Sequence, residues 1–201
     1  SEMEFYQLTT EEGLSQGNIS AIHKGSYGYI WIGTHAGLNK YNGYDIDIYT
    51  PDRGDTTSIS NGGITSINTD KEGNLWVGTK NGLNRYISSK DYFESYTTQN
   101  SNLESNHITN IKLLSDSILF ICTRGGGLSI YDYSVDNFIN YTSVSADPNS
   151  IASNNVHDII QRSNGDILVK TNEPLVQEFD ISSGTFKEVI RTTIRHRINT
   201  S

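Results

Sequence analysis

Residues Gly73 to Tyr86 read GNLWVGTKNGLNRY, and Gly28 to Tyr41 repeat the phrase as GYIWIGTHAGLNKY. Each copy packs a turn glycine, an apolar run with one tryptophan, a Gly-Thr stop, a second tight turn and a short alternating strand into fourteen residues. Trp31 to Trp76 is 76 − 31 = 45 residues, a period that belongs to propeller blades and other repeat architectures rather than to one irregular domain.

Working outward, the chain divides into four such units. Each opens on an apolar strand at Asn18-Ile19, Gly63-Ile64, His107-Ile108 or Asn155-Val156. A short turn follows, clearest as Asp70-Lys71-Glu72-Gly73-Asn74 and Ser163-Asn164-Gly165-Asp166, where Asp bonds its own backbone and Gly accepts positive φ. The second strand is the most apolar: Tyr29–Ile32, Leu75–Val77, Ile118–Ile121 and Ile167–Val169, which reads as a strand buried on both faces. Thr34, Thr79, Thr123 and Thr171 end it, a turn leads to a third strand through Leu38, Leu83, Leu128 and Leu175, and a fourth carries Ile46, Phe93, Phe138 and Phe186. No window holds a helical period for more than about two turns. The expected fold is all-β, about four four-stranded antiparallel blades of a β-propeller at 11–50, 51–98, 99–142 and 143–190. Trp31, Trp76 and Phe120 are expected to fill the blade cores, with Gly33 and Gly78 ending the strands beside them.

Phe5–Thr10, FYQLTT, matches the fourth strand FESYTT at Phe93–Thr98, so 4–10 is read as a leading outer strand. The last unit already has its own fourth strand, which leaves one strand over. That favours an open arc cut from a larger ring whose remaining blades are C-terminal; a closed four-bladed ring with the extra strand displaced is the alternative. The tail 191–201 carries Arg191, Arg195 and Arg197, read as a solvated terminus.

Composition narrows the function classes. A net charge of −8 with no basic stripe disfavours nucleic acid and anionic bilayers as partners. No run of eighteen apolar residues exists to span a membrane. The single cysteine, Cys122, lies in the apolar run ILFIC and cannot form an intrachain disulfide, which is neutral about compartment. A mature export product and a cytosolic protein would both open as this sequence does.

These residues resemble the two-component regulator propeller repeat, found in the periplasmic sensor region of hybrid two-component histidine kinases, especially of Bacteroides-type bacteria. Phe5–Ser15 looks like that family's usual opening. Ile30–Thr34 and Leu75–Thr79, each followed by Gly-Leu and a basic-Tyr pair, match its core motif, and Tyr41-Asn42-Gly43 stands at its Tyr-Asp-Gly turn. Repeats three and four depart: Cys122 and Lys170 replace the motif glycine and Pro174 the turn glycine. The resemblance implies two seven-bladed propellers ahead of a membrane segment, a kinase and a regulator, none of which lies in these 201 residues. It therefore implies a non-enzymatic periplasmic segment, with phosphorelay and any catalysis belonging to the parent.

Antiparallel order places the starts of first strands, the ends of second strands and the long links on one rim. That rim should gather Asn18, His107 and Asn155 with His35, Lys80, Asn81, Arg124 and Asn172. Amides, imidazoles and cations of this kind can bind hydroxyls and carboxylates, which suits an oligosaccharide or a uronic acid. Their alternative role is to cap strand ends. No metal or cofactor is expected. The five His are scattered without ligand spacing, Asp70–Gly73 lacks the later ligands of a calcium loop, and Gly125-Gly126-Gly127 opens no helix. Asp45 and Asp47 share the solvent face of an outer strand, and Arg53-Gly54-Asp55 is a loop tripeptide. The rival readings are an interaction scaffold, self-associating through exposed terminal blades, and a propeller lyase or glycosidase.

Overall fold

The computed structural model describes residues 7–114 and 118–191. It contains four antiparallel sheets, each of four strands in chain order. The first is β1 (Ile19–Lys24), β2 (Ile30–Thr34), β3 (Leu38–Tyr41) and β4 (Ile46–Tyr49). The second is β5 (Ile64–Thr69), β6 (Leu75–Thr79), β7 (Gly82–Ile87) and β8 (Tyr92–Tyr96). The third is β9 (Ile108–Leu113), β10 (Leu119–Thr123), β11 (Leu128–Asp132) and β12 (Asn137–Tyr141). The fourth is β13 (Val156–Gln161), β14 (Ile167–Thr171), β15 (Leu175–Asp180) and β16 (Thr185–Arg191). Among the described residues the only helical element is a 3-10 turn at Ser26–Gly28. Of the expected leading strand 4–10, residues 4–6 lie outside the described set, and Gln7–Thr9 are irregular before a turn beginning at Thr10.

The apolar second strands become the sheet centres because both their faces are covered. Every residue of β6 and β10 is buried. One face meets the preceding blade and the other the following blade, so three apolar layers form between four sheets. Trp76 and Phe120 are fully buried at equivalent places in successive layers, and Trp31 is 3% exposed in the first.

The motif glycine does more than end a strand. Gly33 lies inside β2, and a Cβ there would sit 2.5 Å from Ile64 Cγ2 of the next blade. Gly78 in β6 stands in the same relation to Ile108, at 2.7 Å. The first strand of each blade thus lays an isoleucine on bare backbone of the blade before it. In the third junction Cys122 fills the glycine position, and the residue opposite is the smaller Val156 in the same core. Volume added on one side is removed on the other. At the fourth position Lys170 stands exposed.

Three further devices recur. The threonine hydroxyls close the second turn, donating to Gly37 O, Gly82 O and Gly127 O and accepting from the amides of Ala36, Asn81 and Gly126. Gly127 needs φ = +77° and passes so close to Tyr141 O that no side chain fits. A polar side chain on the third strand holds the incoming link: Asn39 Oδ1 accepts from Ser15 N, Asn84 Oδ1 from Ser60 N, and Gln177 Oε1 from Ala152 N. Just before these points Leu14, Ile59, Leu103 and Ile151 are buried. Finally, a β3 or β7 cation meets aromatic rings across each of the first two junctions. Lys40 donates to Tyr86 Oη (3.2 Å), and Arg85 to Tyr131 Oη (2.8 Å). Asp91 accepts from Tyr86 and Tyr49, and Asp136 from Tyr131 and Tyr96. At the third junction Ile130, Tyr141 and Phe179 form an uncharged version.

The sheets form an open arc rather than a closed ring. Ile22 of β1 is 69% exposed, whereas its counterparts Ile67, Ile111 and Ile159, each covered by the preceding blade, are at 8%, 1% and 1%. Blade four does not cover blade one.

Trp76→Ala should cost about 3–5 kcal/mol, the usual penalty for a fully buried aromatic, measured by urea denaturation. Gly78→Ala should also destabilise, and adding Ile108→Val should restore part of the loss by imitating Cys122 against Val156. A Gly78→Ala protein as stable as wild type would refute the close-packed junction.

Candidate functional site

The rim at which first strands start is built by repetition. The amide one residue past each threonine donates to the carbonyl just before a first strand: Lys80 N to Gly63 O (3.0 Å), Arg124 N to His107 O (2.9 Å), Asn172 N to Asn155 O (3.1 Å). Three pairs of positions, 63/80, 107/124 and 155/172, are therefore fixed by backbone, leaving side chains free to vary. Asn18 and His35 occupy the corresponding places in blade one, both exposed.

Consecutive blades bring several of these side chains together. Arg124 bridges to Asn155 of blade four through the backbone. Asn106 Nδ2 donates to Asn81 Oδ1 at 3.4 Å, and Lys80 lies along the bare backbone of Gly63, its Cδ 3.0 Å from where a Cβ would be. His107 is half-buried between them. Burial pushes its imidazole pKa below the usual value, and the positive charges of Arg124 and Lys80 push the same way. Among the described residues neither Lys80 nor Arg124 has a carboxylate within 4.0 Å. In a chain of net charge −8, this is a local concentration of uncompensated positive charge. Such a group can receive a carboxylate or sulfate by charge-assisted hydrogen bonds. His35 and Asn18 belong to blade one, the next blade along the rim from Lys80.

Sequence reasoning missed the residues that hold this rim. Asn106 O accepts from Gly82 N, and Asn154 O accepts from both Gly125 N and Gly127 N. The side chains of the same two residues accept from Thr98 N and Ser143 N, fastening the long links. The recurring Ser-Asn at Ser105-Asn106 and Ser153-Asn154 was the available signal. It also missed the second role of Asp70, read there as a turn residue. Buried at 4% exposure, it accepts from Glu72 N, Asn74 N, Asn74 Nδ2 and Trp76 Nε1. Asp45 and Asp47 are exposed at the outer strand.

With this geometry in hand, the comparisons with known proteins are specific about the repeat. Residues 13–36 and 58–81 match the two component regulator propeller family. Over 55 residues it is 40% identical to histidine kinase P4 of Formosa agariphila, covering 27% of this chain and 4% of that protein. The fold is similar to the extracellular domain of a hybrid two-component system of B. thetaiotaomicron, with a TM-score of 0.81 at 22% identity over 92% of this chain. It also resembles virginiamycin B lyase of Staphylococcus aureus, with a TM-score of 0.62 at 14% identity over 88% of this chain. The chain spans 26% of the two-component structure and 56% of the lyase. At these identities the structural likeness establishes the fold. Among the described residues no helix is long and apolar enough to cross a membrane.

His107, and His23 whose Nε2 lies 2.7 Å from Thr69 Oγ1, both have pKa values lowered first by burial. The unfolded chain therefore binds more protons at these sites as pH drops. Their contribution to stability is fully present above the unfolded value of about 6.5 and is lost as pH falls through the lower folded values. The melting temperature should decline between pH 7.5 and pH 5.5, and the His23→Asn/His107→Asn protein should show a flatter profile in calorimetry.

Proposed function

We propose that this chain is a non-enzymatic extracytoplasmic segment of a hybrid two-component histidine kinase, lying in the periplasm and helping its parent report oligosaccharide availability by phosphorelay. Two lines support the reading: the repeats of the two-component regulator propeller family, and the fold shared with the extracellular domain of a hybrid two-component system. The observation that carries ligand recognition is the rim itself. Lys80, His107 and Arg124 converge from two blades with no carboxylate to neutralise them, beside the amides of Asn81 and Asn155. An acidic oligosaccharide supplies both the charge and the hydroxyls such a set can pair with. Binding would act on the parent by favouring one arrangement of neighbouring propellers over another.

A second reading is favoured by the two open faces. Ile19 and Ile22 on blade one are 43% and 69% exposed, and Ile160 and Ile190 on blade four are 51% and 46%. Uncovered blade faces of this kind favour association with further blades or a second copy. In that case the segment is an interaction scaffold.

Titration calorimetry with uronic-acid oligosaccharides separates the two. Substituting Lys80→Ala and Arg124→Ala together should weaken binding at least tenfold under the sensor reading, and unchanged affinity would remove this rim from consideration. Sedimentation at high concentration should show dimers or larger species under the scaffold reading. A clean monomer would count against it.

A further inference from the structure

A cleft of about 740 Å³ opens between blades one and two at the rim opposite the cation group, lined among others by Ser26, Tyr29, Lys40, Glu72, Asn74 and Ser88. Its volume is typical of small-molecule sites. The repeat shows why it is open. One period on, at 26 + 45 = 71 and 88 + 45 = 133, stand Lys71 and Tyr133. In that second junction the Tyr133 ring packs edge-on against Tyr131, with centroids 4.8 Å apart, and the Lys71 ammonium lies 4.2 Å above its face. Tyr133 belongs to the apolar layer there. The first junction keeps the floor, with Tyr86 in the place of Tyr131, but its two filling residues are serines.

We propose that this cleft binds a phenol ring supplied from outside the chain, taking the place that Tyr133 occupies in the next junction. The floor is already shaped for an edge-to-face ring, since Tyr86 and Trp31 meet at 4.9 Å in that geometry. A cation is also present. Lys40 Nζ lies 4.6 Å from the Tyr29 ring centroid and donates a hydrogen bond to Tyr86 Oη. Among the described residues no carboxylate lies within 4.0 Å of it, so it retains donors for a phenolic oxygen. Glu72 and Asn74 add an acceptor and an amide to the walls, which a polar substituent on the ring can meet. This site is independent of the cation rim and of whatever that rim binds.

The test is calorimetric titration with 4-hydroxyphenylacetamide, its saturated cyclohexanol analogue and the tripeptide Gly-Tyr-Gly. The phenol should bind saturably and the saturated ring at least tenfold more weakly. Binding of the tripeptide as tightly as the amide assigns the ring to a polypeptide tyrosine, and binding of the amide alone assigns it to a free phenolic compound. Ser26→Lys/Ser88→Tyr, which rebuilds the Lys71–Tyr133 pair, should fold with an unchanged or higher melting temperature and lose phenol binding at least tenfold. Nuclear Overhauser contacts from the phenol to Tyr29 in the wild-type protein decide the matter even if that variant unfolds. No phenol binding, equal binding of the saturated ring, undiminished binding in the folded filled variant, or no contact with Tyr29 would overturn the proposal.

Discussion

The contact on which everything else depends is an isoleucine side chain resting on the backbone of a glycine in the preceding sheet. Ile64 on Gly33 and Ile108 on Gly78 set how closely two blades can approach at their inner ends. A sheet carries apolar side chains on both faces, and stacking sheets buries them only if the strands near the axis come closer than the strands outside. Removing one side chain at the inner end achieves that taper. Trp31 and Trp76 fill the wider space further out, and the outer clamp of cation, tyrosines and aspartate closes the edge.

Much of this was legible in the sequence because repetition multiplies a weak signal. The 45-residue offset identified the strand order, the buried second strands and the common rim without any one repeat being decisive. What periodicity could not show was the partner of each repeated letter. Gly33 and Gly78 read as strand ends because a lone glycine is most simply a turn, and only the neighbouring blade reveals it as a seat. Asp70 read as turn chemistry, and its turn role is real, but its bond to Trp76 Nε1 links it to the core through space. Residues 4–10 shared letters with an outer strand, yet among the described residues Gln7–Thr9 are irregular and a turn follows, because the hydrogen bonds that make a strand depend on a partner, not on composition.

The rim was readable in part for the same reason. Strand direction alone brought His107, Arg124 and Lys80 to one side, since it needs no knowledge of packing. It could not tell that Asn106 and Asn154 hold the scaffold beneath. Backbone hydrogen bonds between turn and strand start are invisible in a list of side chains.

The three outer clamps differ in kind: ammonium with two tyrosines and one carboxylate, guanidinium with two tyrosines and two carboxylates, and an uncharged cluster. Blades cut from one template face a sorting problem during folding, because any unit could stack on any other and bury nearly the same area. Dissimilar junctions act as addresses. Out of order, Arg85 would meet Phe179 with no hydroxyl to accept its hydrogen bond, leaving a largely buried guanidinium short of a partner. Charge placed at two seams and withheld from the third thus encodes the sequence in which near-identical pieces must be assembled.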